Sequence, residues 1–497
     1  MKRHRLLTLL ACTIAVGACQ DSSRPGPVLA GLGNATPSAS VAISLPPPPY
    51  GDPAHLAAMI DAFAAGYGAG WGKGFALNGI ILVTRGGEPA YSRAFGVANT
   101  KTGAPADEST IYRVGSITKQ LTAVATLRLA AGKKLSLDDS VRKWVPELPA
   151  PFGPVTLTQL LANTAGISDY ADDEELAKER DAKLPPSRII RSFATRPLAF
   201  EPGSRFSYSN SNYYLLGLVI ERASGLSYEQ YLQSQILGPA GMRRTGTMFG
   251  PDAPGSATGR TQDSSDALVD TKYIDGSGAF AAGGLSSTAH DLALWDRALA
   301  SHLLIDADTD RLRTTPVRSV YALGVARETR YGHEVESHNG GIDGFANAFA
   351  RVPKLGLALV ILTNNDRFPV DGCADAVLRI LLEGKPVPPL PESRDLGYDP
   401  KRAAEVAGEY VLKEESRRTV DAIISGQDFR DALKTMSLVN DGQKLTLKSG
   451  APLFFGEGGT LFSRKPRFVV TPTRDADGAV AGLNVVRGRW NMSYSRK

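Results

Sequence analysis

The sequence has few cysteines and no long apolar run in its main part. Its 497 residues include three cysteines, Cys12, Cys19 and Cys373, which are too few for a disulfide framework. Beyond the N-terminus no stretch reaches the roughly 18 consecutive apolar residues of a membrane-spanning helix, so none is predicted in the mature protein. The apolar and charged fractions, 42% and 22%, are ordinary for a globular protein and exclude collagen-like or wholly disordered chains.

An excess of charge of one sign is also missing. Lys and Arg number 56 against 51 Asp and Glu, and three of these basic residues, Lys2, Arg3 and Arg5, fall at the start of the chain. The nearly balanced remainder predicts no nucleic-acid partner. The histidines beyond the first few residues show no metal-ligand spacing, so the sequence predicts neither a metal nor an organic cofactor.

The N-terminus has the layout of an export signal. A basic start is followed by the apolar segment 6–18, which is too short for a bilayer span but suits a signal peptide. The sequence Val16-Gly17-Ala18-Cys19 resembles a bacterial lipobox, which implies cleavage after residue 18 and two acyl chains on Cys19, enough for stable anchoring. Gln20 rather than Asp follows Cys19, which resembles signals that do not retain a lipoprotein at the inner membrane. We therefore expect a periplasmic protein anchored at the outer membrane. The alternative is ordinary signal-peptidase cleavage and a soluble periplasmic protein.

Composition divides the rest of the chain into three segments. Residues 19–52 are rich in Pro, Ser and Gly and are predicted to be a tether. Residues 53–388 alternate helical and strand patterns and predict an α+β domain with an antiparallel sheet. After the Pro-rich segment 386–391, residues 395–497 show short alternating strands separated by turns, which predicts an all-β domain, either a small barrel or a sandwich.

Hydrophobic periodicity places individual elements within these segments. In the α+β domain it predicts strands at 80–84, 91–97, 344–352 and 357–363 and helices at 55–63, 116–131 and 374–382. In the all-β domain it predicts strands at 408–412, 419–424, 436–439, 444–448, 468–473 and 483–486. Asp475 and Asp477 before Gly478 suggest a calcium loop, but the remaining ligand positions are missing, so a hairpin turn is the prediction.

One short motif suggests nucleophilic catalysis. In Ser116-Ile117-Thr118-Lys119 the lysine lies one helical turn beyond the serine, on the same face. Lys119 can then take the proton of the Ser116 hydroxyl if its amine is partly neutral. Lowering a lysine pKa from ~10.4 to ~7–8 corresponds to about 3–5 kcal/mol from burial and neighbouring charge. The motif alone is weak, because such a spacing also arises by chance.

Two further motifs support a catalytic role for the motif of Ser116 and Lys119. Tyr208-Ser209-Asn210 and His338-Asn339-Gly340-Gly341 follow in that order. With them the chain resembles the class C-like branch of the serine β-lactamase and penicillin-binding protein superfamily, which includes D-alanyl-D-alanine carboxypeptidases, D-aminopeptidases and esterases. Shared segments also occur at 112–115, 160–167, 200–203, 241–242, 282–285 and 340–344. The resemblance implies the β-lactamase/transpeptidase-like α+β fold with a helical subdomain, and the last segment resembles a lipocalin-like domain.

The resemblance also implies residue roles. The catalytic residues would be Ser116 as nucleophile, Lys119 as its activator and Tyr208 as general base and acid, and the substrate-binding residues would be Asn210, His338, Gly340 and Gly341. The backbone N–H groups of Ser116 and Gly341 would form the oxyanion hole, where each donor is typically worth ~3–4 kcal/mol. The reaction would be acyl transfer through an acyl-enzyme, followed by hydrolysis.

Two positions depart from the family pattern. Asn163 stands where many relatives have histidine, and we expect a structural role for it. His338 replaces the lysine of class C β-lactamases. An unperturbed histidine is only about one quarter protonated at neutral pH, so we expect weak attraction for a β-lactam carboxylate and faster β-lactam acylation towards pH ~6.

The sequence therefore predicts a serine hydrolase acting on esters or on D-residue-containing amides and peptides, either small molecules or peptides derived from peptidoglycan. One alternative is a class C-type β-lactamase. A second is a catalytically inactive penicillin-binding module of the cell envelope, which a fluorophosphonate or penicillin probe would distinguish. Cys373 is predicted to be a core residue rather than a nucleophile.

Overall fold

The computed structural model describes residues 52–68, 74–247, 253–263, 267–387, 396–414, 416, 434–456, 459–464, 467–487 and 490–497. The predicted signal peptide, Cys19, the tether, part of the Pro-rich segment and the predicted strand 419–424 lie outside these ranges.

Fourteen α-helices occur in the described residues. They are α1 (Pro53–Tyr67), α2 (Thr118–Ala131), α3 (Val141–Trp144), α4 (Leu157–Leu161), α5 (Glu174–Lys178), α6 (Pro186–Ala194), α7 (Asn210–Ser224), α8 (Tyr228–Leu232), α9 (Gly238–Ala240), α10 (Gly276–Gly283), α11 (Ala289–Ala300), α12 (Ala307–Thr314), α13 (Val370–Glu383) and α14 (Pro400–Val406). Within the described ranges, none of them combines the length and apolar character needed to cross a bilayer.

The strands of the first part are β1 (Gly79–Arg85), β2 (Glu88–Phe95), β3 (Val97–Asn99), β4 (Ala104–Pro105), β5 (Tyr112–Arg113), β6 (Gly246–Thr247), β7 (Arg260–Gln262), β8 (Leu268–Asp270), β9 (Leu285–Ser287), β10 (Ala326–Arg330), β11 (His333–Ile342), β12 (Phe345–Val352) and β13 (Leu357–Thr363). Those of the second part are β14 (Gly408–Leu412), β15 (Thr435–Asn440), β16 (Leu445–Leu447), β17 (Pro452–Phe455), β18 (Leu461–Arg464), β19 (Arg467–Arg474), β20 (Val480–Arg487) and β21 (Trp490–Arg496).

A six-stranded antiparallel sheet, in the order β10-β11-β12-β13-β1-β2, forms the centre of the α+β part. Strand β1, which lies between β13 and the edge strand β2, is buried on both faces. Ile80 and Leu82 belong to one hydrophobic core, whereas Ile81 and Val83 belong to the other. Because successive side chains of a strand point to opposite faces, the apolar run in β1 requires cover on both sides. Helices α1 and α13 supply it on one face, and α2 and α11 supply it on the other.

Strand β11 and helix α2 position the candidate site. The short 3-10 helix Gly115–Ile117 connects β5 to α2 and packs against β11. Strand β5 pairs with β9, which directly follows α10. The serine, the lysine one turn later and strand β11 of the sheet therefore meet where these elements converge.

The second part is a closed antiparallel barrel of eight strands, in which β14 pairs with both β15 and β21. The structure thus selects the barrel over the sandwich. Its core is made of residues from this part of the chain, among them Tyr410, Phe455 and Tyr494. Asp475 and Gly478 form the predicted hairpin turn between β19 and β20, where Gly478 N donates to Asp475 O at 3.1 Å.

Several element predictions need correction. The predicted strand 91–97 is broken at Gly96, whose φ of 68° separates β2 from β3. The α-helix predicted from residue 116 begins at Thr118, because residues 115–117 form the 3-10 helix. Three barrel strands and α14 were not predicted. Of these strands, β17 begins with a proline and β18 is only four residues long. In β21 the buried Met492 and Tyr494 alternate with serines, which makes only a short pattern.

Candidate active site

Ser116 lies in a tight turn between a strand and a helix. The preceding Gly115 has φ of 55°, a left-handed conformation that glycine adopts without steric cost. This conformation turns the chain sharply from β5 into the 3-10 helix that carries Ser116. Ser116 is largely buried, with 6% of its surface exposed, and its hydroxyl faces the side chains described next.

Lys119 has no exposed surface, and its partners include a hydroxyl, an amide oxygen and a backbone carbonyl. Its Nζ donates to Ser116 Oγ at 3.1 Å, to Asn210 Oδ1 at 2.7 Å and to the backbone carbonyl of Ala282 at 2.7 Å. An amide oxygen and a carbonyl oxygen only accept, whereas a hydroxyl also donates. When the amine is neutral, its two N–H groups remain on Asn210 and Ala282, so its lone pair points at the Ser116 hydroxyl.

Tyr208 approaches the same oxygen from the other side. Its hydroxyl donates to Ser116 Oγ at 2.9 Å, and its ring centroid lies 4.8 Å from Lys119 Nζ. Two donors therefore converge on the oxygen of Ser116, which stabilises negative charge as that oxygen loses its proton. Both groups are also within the distance required for proton transfer.

Asn210 connects Lys119 to a residue that sequence reasoning missed. While Oδ1 of Asn210 accepts from Lys119, its Nδ2 donates to Asp169 Oδ2 at 2.9 Å. Burial and the charge of Asp172 raise the pKa of Asp169 to about 6. In the sequence Asp169 is recognisable only as an N-cap, whose Oδ1 accepts from Ala171 N at 3.0 Å. Asn210 lies 41 residues later in the chain, so the residues around Asp169 in the sequence do not reveal this contact.

Asn163 has the structural role that its position in the sequence suggested. It adopts φ of 54°, and its Oδ1 accepts from Ser209 N at 3.2 Å and from Asn212 Nδ2 at 2.8 Å. Its backbone carbonyl accepts from Ser207 N at 2.8 Å. Asn163 therefore ties its own loop to the segment that carries Tyr208.

His338 is buried, and its expected protonation is wrong. Only 1% of its surface is exposed. Its Nδ1 faces the carbonyl of Asn339 at 2.7 Å and must donate, so Nε2 accepts from the Tyr321 hydroxyl at 3.1 Å. Burial and the charge of Lys119 lower the pKa of His338 to about 3. His338 is therefore neutral at neutral pH, and the increase in β-lactam acylation expected towards pH 6 loses its basis.

Strand β11 passes very close to the turn that carries the serine. A Cβ atom built on Gly340 would lie 1.9 Å from the backbone oxygen of Val114, and one built on Gly115 would lie 2.9 Å from Gly341 N. Side chains at these positions would push the strand and the turn apart. The glycines thus bring the N–H groups of Ser116 and Gly341 onto adjacent chain segments, as an oxyanion hole requires.

Other reactive side chains lie elsewhere. Cys373 belongs to α13 and is buried in the core, and burial raises the pKa of its thiol, so the prediction of a core residue is confirmed. Within the described ranges, no group of three or more His, Cys, Asp or Glu side chains is arranged to hold a metal ion.

A buried lysine and a tyrosine converge on a serine hydroxyl beside an antiparallel sheet, which is the arrangement expected of a serine hydrolase. The family model described as Beta-lactamase matches residues 58–383. The chain belongs to this family, as its motifs predicted.

Curated relatives carry several activities. The chain is 28% identical over 323 residues to penicillin-binding protein 4* of Bacillus subtilis, covering 59% of this chain and 70% of that protein. It is 28% identical over 306 residues to a D-aminopeptidase of Gluconobacter oxydans, covering 58% and 56%. It is 33% identical over 222 residues to the esterase EstB of Burkholderia gladioli, covering 41% and 55%. The match thus spans little more than half the length of the latter two.

A solved structure extends the similarity to the barrel. The octameric penicillin-binding protein homologue of Pyrococcus abyssi superposes with a TM-score of 0.62 at 24% identity, covering 88% of this chain and 99% of that one. This coverage includes both parts of the chain, which establishes the predicted combination of a β-lactamase-like α+β fold with a C-terminal barrel.

Proposed function

We propose that the protein hydrolyses esters or D-residue-containing amides through an acyl-enzyme on Ser116. The observation that carries the proposal is the set of acceptors around Lys119. Two of them, Asn210 Oδ1 and Ala282 O, can only accept, and the third is the Ser116 hydroxyl. The buried amine is thereby directed at the one proton that must leave for acylation.

The proposed reaction has two halves. In the first, Ser116 Oγ attacks the substrate carbonyl while its proton passes to the Lys119 and Tyr208 pair. The oxyanion is held by the N–H groups of Ser116 and Gly341, and the leaving group takes the proton. In the second half, Tyr208 and Lys119 take a proton from a water molecule whose oxygen attacks the ester carbonyl, and this proton passes to Ser116 Oγ as its bond to the acyl group breaks. Tyr208, 2.9 Å from Ser116 Oγ, is within reach of both steps.

The state of His338 supports a preference for substrates without a carboxylate. A lysine in the third motif would supply a permanent cation, whereas His338 is buried and neutral, with both ring nitrogens bonded within the protein. A β-lactam carboxylate gains no charge pairing from it. The D-aminopeptidase and esterase relatives are consistent with short esters and D-aminoacyl amides.

The test is a substrate panel measured with the full chain. p-Nitrophenyl acetate and butyrate, D- and L-alanine p-nitroanilide and a chromogenic cephalosporin would be compared by kcat/KM, with Ser116→Ala as the blank. We expect the esters or the D-anilide to be turned over faster than the cephalosporin. Faster turnover of the cephalosporin than of every ester and D-amide would instead favour a β-lactamase. Absence of turnover and of fluorophosphonate labelling would favour the inactive binding module.

We also propose a location at the cell envelope. The lipobox-like sequence ending at Cys19 supports a lipid anchor at the outer membrane, with residues 20–52 as the spacer between lipid and enzyme.

A further inference from the structure

We propose that Asp169 is a positioning residue for acyl transfer: its carboxylate fixes the orientation of the Asn210 amide and thereby keeps the lone pair of Lys119 directed at Ser116. The inference rests on the proposed function, because it gives Asp169 a task in the acylation of Ser116.

The first step concerns the two ends of the Asn210 side chain. An amide group has an accepting oxygen and a donating nitrogen of nearly the same shape, so a rotation of about 180° exchanges them. An ionised carboxylate only accepts. Asp169 Oδ2, at 2.9 Å from Nδ2 of Asn210, therefore requires the NH₂ end to face it. The oxygen of the amide is then directed at Lys119, where it lies 2.7 Å from Nζ.

The second step concerns the consequence of a reversed amide. With its NH₂ end towards Lys119, Asn210 would donate a hydrogen bond into the lone pair of the neutral amine. That lone pair would no longer be available to the hydroxyl of Ser116, which stands at 3.1 Å. The carboxylate of Asp169 prevents this competition without touching substrate or the reacting oxygen.

Asp169 is itself held in place independently of Asn210. Its Oδ1 accepts from Ala171 N at 3.0 Å, as the N-cap of the short helix Tyr170–Asp172. The adjoining backbone is tied to the start of α7 by Ser211, whose Oγ donates to Ser168 O at 2.7 Å and accepts from Tyr170 N at 2.9 Å. The carboxylate is therefore a fixed reference against which the amide is oriented.

The charged groups that face Asp169 come from two elements. Lys119 of α2 favours the ionised carboxylate, whereas Asp172 of the short helix opposes it, and Arg196 in turn faces Asp172. Burial and Asp172 together raise the pKa of Asp169 to about 6. Once protonated, Asp169 has an O–H that donates to the oxygen of a reversed Asn210, and the orientation is no longer enforced.

The experiment compares single-turnover acylation by p-nitrophenyl acetate in the full-length protein and two variants. Asp169→Asn keeps the shape but offers both a donor and an acceptor to Asn210, so it removes the enforced orientation. The matched control is Asp172→Asn on the same short helix, which makes no hydrogen bond to Asn210 among those of the described residues. A reserve variant, Asp169→Ser, retains an N-cap oxygen and replaces Asp169→Asn if Asp169→Asn does not fold.

In the wild type the acylation rate should fall below about pH 6, as Asp169 is protonated; this fall is the acidic limb of the pH profile. We expect Asp169→Asn to lower the acylation rate constant about tenfold or more and to lose this limb. Its KM and melting temperature should be nearly unchanged. Asp172→Asn should keep the plateau rate and move that limb to lower pH. Wild-type rate and an unchanged acidic limb in Asp169→Asn would overturn the inference while leaving the acyl-enzyme intact. A wild-type protein that is never acylated, like Ser116→Ala, would overturn the proposed function as well.

Discussion

The hydroxyl of Tyr321 donates a hydrogen bond of 3.1 Å to Nε2 of His338. Tyr321 has no exposed surface, and its ring also meets the edge of the Tyr208 ring, with centroids 6.4 Å apart. The imidazole of the third motif is thus part of the packing behind Tyr208. This arrangement makes His338 a neutral hydrogen-bond acceptor with a structural role. It should therefore affect how the stability of the protein depends on pH.

The first prediction is that His338 lowers stability in acid. Its pKa is about 3 in the folded protein against ~6.5 unfolded, so between these values the unfolded chain binds the proton and the folded protein does not. Stability is therefore complete above about pH 6.5 and falls towards pH 3 by up to ~1.4 kcal/mol per pH unit from this group. In His338→Gln the free energy of unfolding, followed by urea denaturation from pH 4 to 7, should depend less steeply on pH.

The pH profile of activity provides the check on this interpretation. Since wild-type His338 does not titrate between about pH 5 and 8, the acidic limb of the acylation rate should keep its position in His338→Gln. Loss of a limb near pH 6.5 in this variant would mean that the imidazole titrates at the ordinary pKa of histidine, contrary to the buried arrangement.

The second prediction concerns the nucleophile. Ser116→Ala should abolish ester turnover and covalent labelling by a fluorophosphonate, with a loss of at least about 10³-fold in kcat. Removing one hydroxyl leaves little cavity, so the melting temperature should change by only a few degrees. Activity above roughly one tenth of wild type in this variant would show that another residue is the nucleophile.

Much of this architecture could be predicted from the sequence. The apolar runs of β1 and β13 and the order of the three motifs are local patterns, and they identified the sheet, the family and the residues around Ser116. The barrel was predicted as an all-β domain, but closure depends on the pairing of β14 with β21 across 80 residues of chain, which no local pattern encodes.

The parts that could not be predicted depend on distant partners. The neutrality of His338 follows from its burial and from the charge of Lys119, which lies on another element far back in the chain. The orientation of Asn210 follows from Asp169, 41 residues away. An intrinsic pKa or a motif describes a residue alone, whereas hydrogen bonding and loss of solvent in the fold determine its protonation.

The third prediction is that the barrel is dispensable for acylation. Its core and the two cores of the α+β part are made of separate residues, and the proposed catalytic side chains precede it in the chain. A truncated protein ending before Glu392 should fold and be labelled at Ser116 by a small fluorophosphonate, while its selectivity among peptides changes. A folded truncated protein that is not labelled would place part of the barrel in the active site.

The fourth prediction tests the lipid anchor. Cys19→Ser removes the thiol that would be acylated, so the variant should appear in the soluble fraction or accumulate with its signal peptide uncleaved. Radiolabelled palmitate should be incorporated into the wild type and not into the variant, as followed in membrane fractions after expression in a Gram-negative host. Equal membrane association of both proteins without acyl label would contradict the lipobox.

The last prediction concerns the close approach of β11 to the serine turn. In Gly340→Ala the new methyl group would lie 1.9 Å from the oxygen of Val114, so the strand must move away from the segment that leads into Ser116. Asn347 Nδ2 bridges these same segments, donating to Arg113 O at 2.9 Å and to Gly340 O at 3.3 Å, and a displaced strand loses this bridge.

Such a displacement withdraws the N–H of Gly341 from the oxyanion, and loss of one such donor costs about 10²–10³ in kcat. We expect a decrease of that size for ester hydrolysis by Gly340→Ala, together with a loss of stability of about 1–3 kcal/mol from overpacking. The matched control is Gly278→Ala in α10, where a Cβ would meet no atom within 4 Å, and its kcat should stay near wild type. Wild-type kcat in a folded Gly340→Ala protein would show that β11 does not supply the second oxyanion donor.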